Sequence, residues 1–116
     1  MAAKKNPLGL NPLQLKTLTL LQELARSPDH GQPAEDAGSI LVGNLPHPHG
    51  DHFHLGPSAV VMSKDATGLT NQAAWVALER KGLIRSMFPM AAVLTPSGLE
   101  YDTGLADTIL HRHHHH

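Results

Sequence analysis

The chain has no cysteine among its 116 residues. Disulfides, thiolate zinc sites and cysteine nucleophiles are therefore excluded, and an intracellular setting is favoured. Aromatic side chains are nearly as scarce, with one Trp, one Tyr and two Phe, so the core must be built from Leu, Val, Ile and Ala. No apolar run approaches the roughly 18 to 20 residues of a membrane span. The first residues lack the apolar core of a secretory leader. A cytoplasmic protein without membrane contact is expected. An excess of either charge is missing too: nine Lys and Arg stand against ten Asp and Glu, for a formal net charge of −1. Nucleic-acid affinity arises from Lys and Arg that neutralise phosphates. A duplex-binding surface here would have to gather its few cations on one face.

What is present is an apolar fraction of 41% with only 16% charged residues, enough for one globular domain with a single small core. Residues 1–10, with Lys4 and Lys5, are expected to be a flexible arm, either solvated or resting on a nucleic-acid backbone. Asn11 to Arg26 is the clearest helix: Asn11 can cap, Pro12 suits the first helical position, and Ser27-Pro28 ends it. At about 100° per residue, Leu13, Leu20, Leu21 and Leu24 share one face. Leu15 and Leu18 lie nearly opposite, and only Lys16, Thr19, Glu23 and Arg26 form a polar stripe. Such a helix is either wrapped by the rest of the domain or buried against a partner chain. Homodimerisation through the 11–26 helix is the preferred reading. Residues 27–39, rich in turn formers and acids, are expected to be a surface loop with His30 solvated.

Ile40 to Leu45 and His52 to Leu55 fit short strands joined through PHPHGD into a β-hairpin over 40–55. On the second strand His52 and His54 point one way, Phe53 and Leu55 the other. Pro57 to Ala66 fits a helix opened by Pro57-Ser58, or a strand over Ala59 to Met62. The helix is preferred because Thr67-Gly68-Leu69 then becomes the turn of a helix-turn-helix. Next comes a helix over Asn71 to Lys81, with Thr70 as its cap and Gly82 as its left-handed stop. Ala74, Trp75, Ala77 and Leu78 should pack inward, leaving Gln72, Val76, Glu79 and Arg80 outward. Leu83 to Phe88 and Ala91 to Thr95 form two strands about a turn at Pro89-Met90. Thr95-Pro96 opens a last helix, to 110, weakened by Gly98 and Gly104. Residues 111–116 are expected to be a tail, with His113 to His116 the remnant of a purification tag.

The segment Ala77-Leu78-Glu79-Arg80-Lys81-Gly82-Leu83-Ile84, followed by Leu94-Thr95-Pro96-Ser97-Gly98-Leu99, resembles bacterial winged helix-turn-helix regulators of the MarR and PadR type. The resemblance covers Gly68 to Tyr101. It implies an α+β winged helix-turn-helix domain over 11–110 with an N-terminal apolar helix and an additional β-hairpin. The helix-turn-helix would occupy 57–82, the wing 83–95 and the C-terminal helix 96–110. The implied function is DNA binding in transcriptional control, with the second motif helix in the major groove. Asn71 and Gln72 could then pair with adenine, and Thr70 with the helix N-terminus could contact phosphate. Val76 would lie on the reading face, while Lys64, Arg80, Lys81 and Arg85 would position the backbone of double-stranded DNA. The wing tip Phe88-Pro89-Met90-Ala91 departs from the pattern, with Arg85 its only nearby cation. The alternative is a non-enzymatic module on the same fold that reads a protein, ligand or metal.

The densest chemistry lies in His47-Pro48-His49-Gly50-Asp51-His52-Phe53-His54. Imidazole and carboxylate suit zinc, nickel, copper or iron. His52 and His54, with β-carbons roughly 6 to 7 Å apart, could bracket an ion, with His47, His49 or Asp51 as further ligands. The bland reading is a solvated turn with Asp51 as its cap. No nucleophile context, phosphate loop or carboxylate pair accompanies the cluster, so an enzyme is not expected.

Overall fold

The computed structural model describes residues 6–47, 50–55 and 59–112. It is a mixed α+β fold with two antiparallel sheets. Helix α1 (Pro12–Ala25) begins as its sequence indicates. The Asn11 side chain accepts from the Gln14 amide at 2.8 Å, and the Gln14 side chain accepts from the Asn11 amide at 3.0 Å. This reciprocal capping box satisfies two orphan donors of the first turn.

α1 is the centre of the molecule. Leu18, Leu20, Leu21 and Leu24 are fully buried although they point in different directions. The helix touches α2 (Gln72–Arg80), α3 (Pro96–Glu100) and strands of both sheets. Half of its supposed polar stripe is enclosed as well, since Thr19 and Glu23 are buried while Arg26 is exposed. The Thr19 hydroxyl bonds to the Leu15 carbonyl and to Thr103 Oγ1, and Gln22 Nε2 donates to the carbonyls of Gly98 and Tyr101. Over Thr17 to Leu24 the apolar surplus of the 11–26 helix is covered within one chain, while Leu13 and Leu15 are half-buried.

The first sheet has the order β1-β2-β6-β5: β1 (Gly31–Pro33), β2 (Ile40–Val42), β6 (Ala91–Leu94) and β5 (Ile84–Met87). Register places Ile40 and Ile84 opposite Leu94, and Val42 opposite Ala92, on the face that covers the core. The second sheet has the order β3-β4-β7: β3 (His52–Leu55), β4 (Ala59–Met62) and β7 (Leu110–Arg112).

Six expectations are corrected by this arrangement. No hairpin spans 40–55: β2 pairs with β1 and β6, whereas β3 pairs with β4 in the other sheet. The loop at 27–39 supplies strand β1, and His30 is half-buried with Nδ1 2.9 Å from the Asn44 carbonyl. The preferred helix at 57–66 is instead β4 followed by a 3-10 turn, Ser63–Asp65 (Pro57 and Ser58 lie outside the described residues). Its alternate-buried pattern brings Ala59 and Val61 inward against Phe53 and Leu55. The last helix does not run from 96 to 110. It stops at Glu100, resumes as α4 (Ala106–Ile109) and ends in β7, with Gly104 at φ +72° in the break. His111 and Arg112 therefore belong to the sheet rather than to a tail. The second half of the 1–10 arm is also docked. The Asn6 side chain bonds to both backbone groups of Leu10 and receives the Tyr101 hydroxyl proton. Lys4, Lys5 and the tag reading at His113 to His116 lie outside the described residues. No helix among the described residues is long and apolar enough to cross a membrane.

Candidate interaction surface and histidine segment

Two stretches far apart in sequence lock together to hold the β5–β6 hairpin. Gly82 adopts φ +77°, as a left-handed stop after α2 requires. Thr95 Oγ1 donates to the Gly82 carbonyl at 2.7 Å, and the Thr95 amide donates to the Leu83 carbonyl at 3.1 Å. The same hydroxyl accepts from the Gly98 amide at 3.1 Å, which caps α3. A β-carbon at Gly98 would overlap the Leu83 carbonyl oxygen. The segments around Gly82 and around Thr95-Pro96-Ser97-Gly98 are therefore direct contact partners.

α2 presents its Ala74, Trp75 and Leu78 side inward, as its spacing indicates. Trp75 is fully buried; its Nε1 donates to the Gly68 carbonyl at 3.0 Å, and its ring meets Phe88 edge-on at 5.1 Å and 82°. Phe88 thereby pins the hairpin turn back against α2. A second tie runs from the Ser86 amide to a Glu79 carboxylate oxygen at 3.2 Å.

The cap of α2 sits one residue later than expected. Asn71 accepts from the Ala74 amide at 3.3 Å, while Thr70 closes a preceding 3-10 turn, Thr67–Thr70, by donating to the Thr67 carbonyl. Asn71 Oδ1 is thus engaged with its own helix, and Val76 is half-buried. Gln72, Ala73, Glu79, Arg80 and Lys81 are exposed. Beside them on β5, Arg85 pairs with Asp36 at 2.9 Å. Lys64 is exposed in the turn before α2, and its neighbour Asp65 pairs with Lys16 at 2.9 Å. The α2 and hairpin surface therefore carries Arg80 and Lys81 against Glu79, and Arg85 against Asp36.

The largest exposed apolar groups lie at the hairpin end. Met90 is 75% exposed and Met87 50%. Each borders a groove. Met87 lines one of about 390 Å³ with Pro33, Ala34, Leu41, Arg85 and Val93. Met90 and Pro89 line another of about 320 Å³ with Asn44, Leu45 and His47. Sequence reasoning noted this turn only for its lack of cations. Its flanking grooves depend on β1 and β2 packing alongside, which no local pattern signals. A third, polar groove of about 380 Å³ lies between α1 and the segment after α3, with Gln22, Arg26, Tyr101, Asp102 and Asp107 on its walls.

The histidine segment is divided by the fold. His47 lines the groove beside the hairpin turn, whereas His52 and His54 stand on the exposed side of β3 in the other sheet. Asp51 is exposed just before that strand, and His49 lies outside the described residues. Among the described residues no three His, Cys, Asp or Glu converge in a way that could hold a metal ion. The alternation is as expected: Phe53 and Leu55 are buried while His52 and His54 are not.

No protein family, curated protein or solved structure matches this chain.

Proposed function

We propose that the chain is a small winged-helix-type module that works by docking a partner protein through the grooves beside the β5–β6 hairpin, not by catalysis. Support for the winged-helix reading is the strand order β2-β6-β5, with α2 leading directly into the β5–β6 hairpin. The lock between the two resembling segments adds to it. The residues expected to form the first motif helix, 57–66, are β4 and one 3-10 turn where they are described, and the expected turn is a second 3-10 turn, which departs from that pattern.

The observation that carries the partner reading is the exposure of Met87 and Met90, each against a groove. Met adapts its shape and serves surfaces that accept apolar segments. The fitting partner is a peptide segment with spaced aliphatic side chains. Double-stranded DNA is the second reading, favoured by exposed Gln72, Arg80 and Lys81 on one helix and Lys64 before it. Magnitude favours the first. Three cations give a salt slope of about −2.7, against about −10 for a strong duplex binder.

Selection from a random-peptide display library should enrich sequences with spaced Leu, Ile or Phe, and Met87→Asp or Met90→Asp should abolish their binding. In parallel, a labelled random-sequence duplex should bind weakly or not at all. Tight duplex binding that falls steeply with salt and is lost in Arg80→Glu would replace the protein reading with the DNA reading.

A further inference from the structure

We propose that the outer face of the β3–β4 hairpin is a copper(I) site built from His52, His54 and Met62. The residues come together through strand register. His52 is the partner of Met62, and His54 the partner of Val60. The Ser63 amide donates to the Asp51 carbonyl at 2.8 Å. That bond makes 51 and 63 a hydrogen-bonded pair, so by alternation 52 and 62 form a non-hydrogen-bonded pair. In such pairs the α-carbons approach to about 4.5 Å and the side chains stand closest. His54, two residues along on the same face, reaches Met62 across the diagonal.

The burial pattern points the same way. Phe53, Leu55, Ala59 and Val61 occupy the inner face, which leaves His52, His54 and Met62 outward. Met62 is 38% exposed, one of only three large apolar side chains so placed among the described residues. His111 lies on the same face but beyond Val60, two strand spacings or about 9.5 Å from the β3 backbone.

Two imidazole nitrogens and one thioether sulfur are a soft donor set. Thioether sulfur selects copper(I), whereas zinc and nickel favour imidazole with thiolate or carboxylate. The absence of any triad of His, Cys, Asp or Glu among the described residues does not bear on this site, because its third donor is Met. The long side chain of Met62 also has the torsional freedom to close on an ion held between two imidazoles.

The test uses the 116-residue chain with His113→Ser, His114→Ser, His115→Ser and His116→Ser, so that the terminal imidazoles do not compete. Copper(I) is titrated anaerobically against a chromophoric chelator, and zinc(II) separately. One copper(I) should bind per chain. Loss of an outer-shell partner alone weakens metal sites by about 10- to 100-fold, so Met62→Leu should lose at least about tenfold in copper(I) affinity. Its zinc(II) affinity should not change. His52→Asn and His54→Asn should each weaken copper(I) binding as well, and X-ray absorption should show one sulfur scatterer, lost in Met62→Leu. Far-UV circular dichroism verifies that the variants fold. The proposal is overturned if copper(I) does not bind, or if Met62→Leu binds copper(I) as tightly as the parent.

Discussion

Gly98→Ala tests whether the lock between α3 and the start of β5 governs this half of the molecule. Considered as a helix position alone, Gly98 should be improved by the substitution. Alanine is favoured over glycine inside a helix by about 1 kcal/mol. The tertiary structure reverses the sign. The new β-carbon would overlap the Leu83 carbonyl oxygen, a backbone atom that no rotamer change can move. That carbonyl is already fixed by the Thr95 amide and approached by Thr95 Oγ1. Overpacking of a fitted site costs about 1–3 kcal/mol, and the upper end applies where backbone meets backbone. Setting about 3 kcal/mol against about 1 leaves a net loss of about 2 kcal/mol. At about 4 °C per kcal/mol for a domain of this size, Tm should fall by about 8 °C, read by circular dichroism. Gly43→Ala is the control, because no atom stands within 4 Å of its β-carbon position. It should be neutral or stabilising by up to about 1 kcal/mol through the unfolded chain. If Gly98→Ala melts at or above the parent temperature, the close approach of α3 to Leu83 is wrong.

Three further outcomes follow from the same packing. Asn71→Ala should lower stability by about 1 kcal/mol, while Thr70→Ala should stay within about 0.5, because Asn71 is the cap of α2; equal losses in urea titration would contradict this. Gln22→Leu should cost about 2–4 kcal/mol, since the Gly98 and Tyr101 carbonyls both lose a buried donor; differential scanning calorimetry would measure it, and a neutral result would remove Gln22 from the core network. A chain ending at Ile109 should be less stable than one ending at Arg112 by about 2–5 kcal/mol, because it loses buried Leu110 and leaves β4 unpaired on one side; matching denaturation midpoints would show that β7 does not hold the sheet.

What could be read directly from the amino acids was local punctuation. Asn11-Pro12 and Ser27-Pro28 bound α1, Gly82 ends α2, and the strands flanking Pro89-Met90 pair as adjacent segments do. The alternation His52, Phe53, His54, Leu55 likewise revealed its own inner and outer faces. Non-local choices were not legible. Ile40 to Val42 could have paired with the next strand, but Leu94 and Ala92 are its partners in the core. Ala59-Val60-Val61-Met62 is too short for periodicity to separate helix from strand, and pairing to both β3 and β7 decides it. His111 and Arg112 were hidden by the histidines after them. In the candidate surfaces, Asn71 looked able to read a base, and its Oδ1 caps α2. Met62, Met87 and Met90 gain meaning only from the strands beside them.

Trp75 is the chain's sole tryptophan, and its placement makes the molecule self-reporting. Its indole sits between the Gly68 carbonyl and the Phe88 ring, dry and hydrogen-bonded. Any event that lifts the hairpin turn from α2 exposes this one indole to water, with no background from a second tryptophan. Emission wavelength would therefore separate detachment of the hairpin from loss of the sheets, which circular dichroism follows. A ligand that lifts the hairpin turn from α2 would be visible optically without a label.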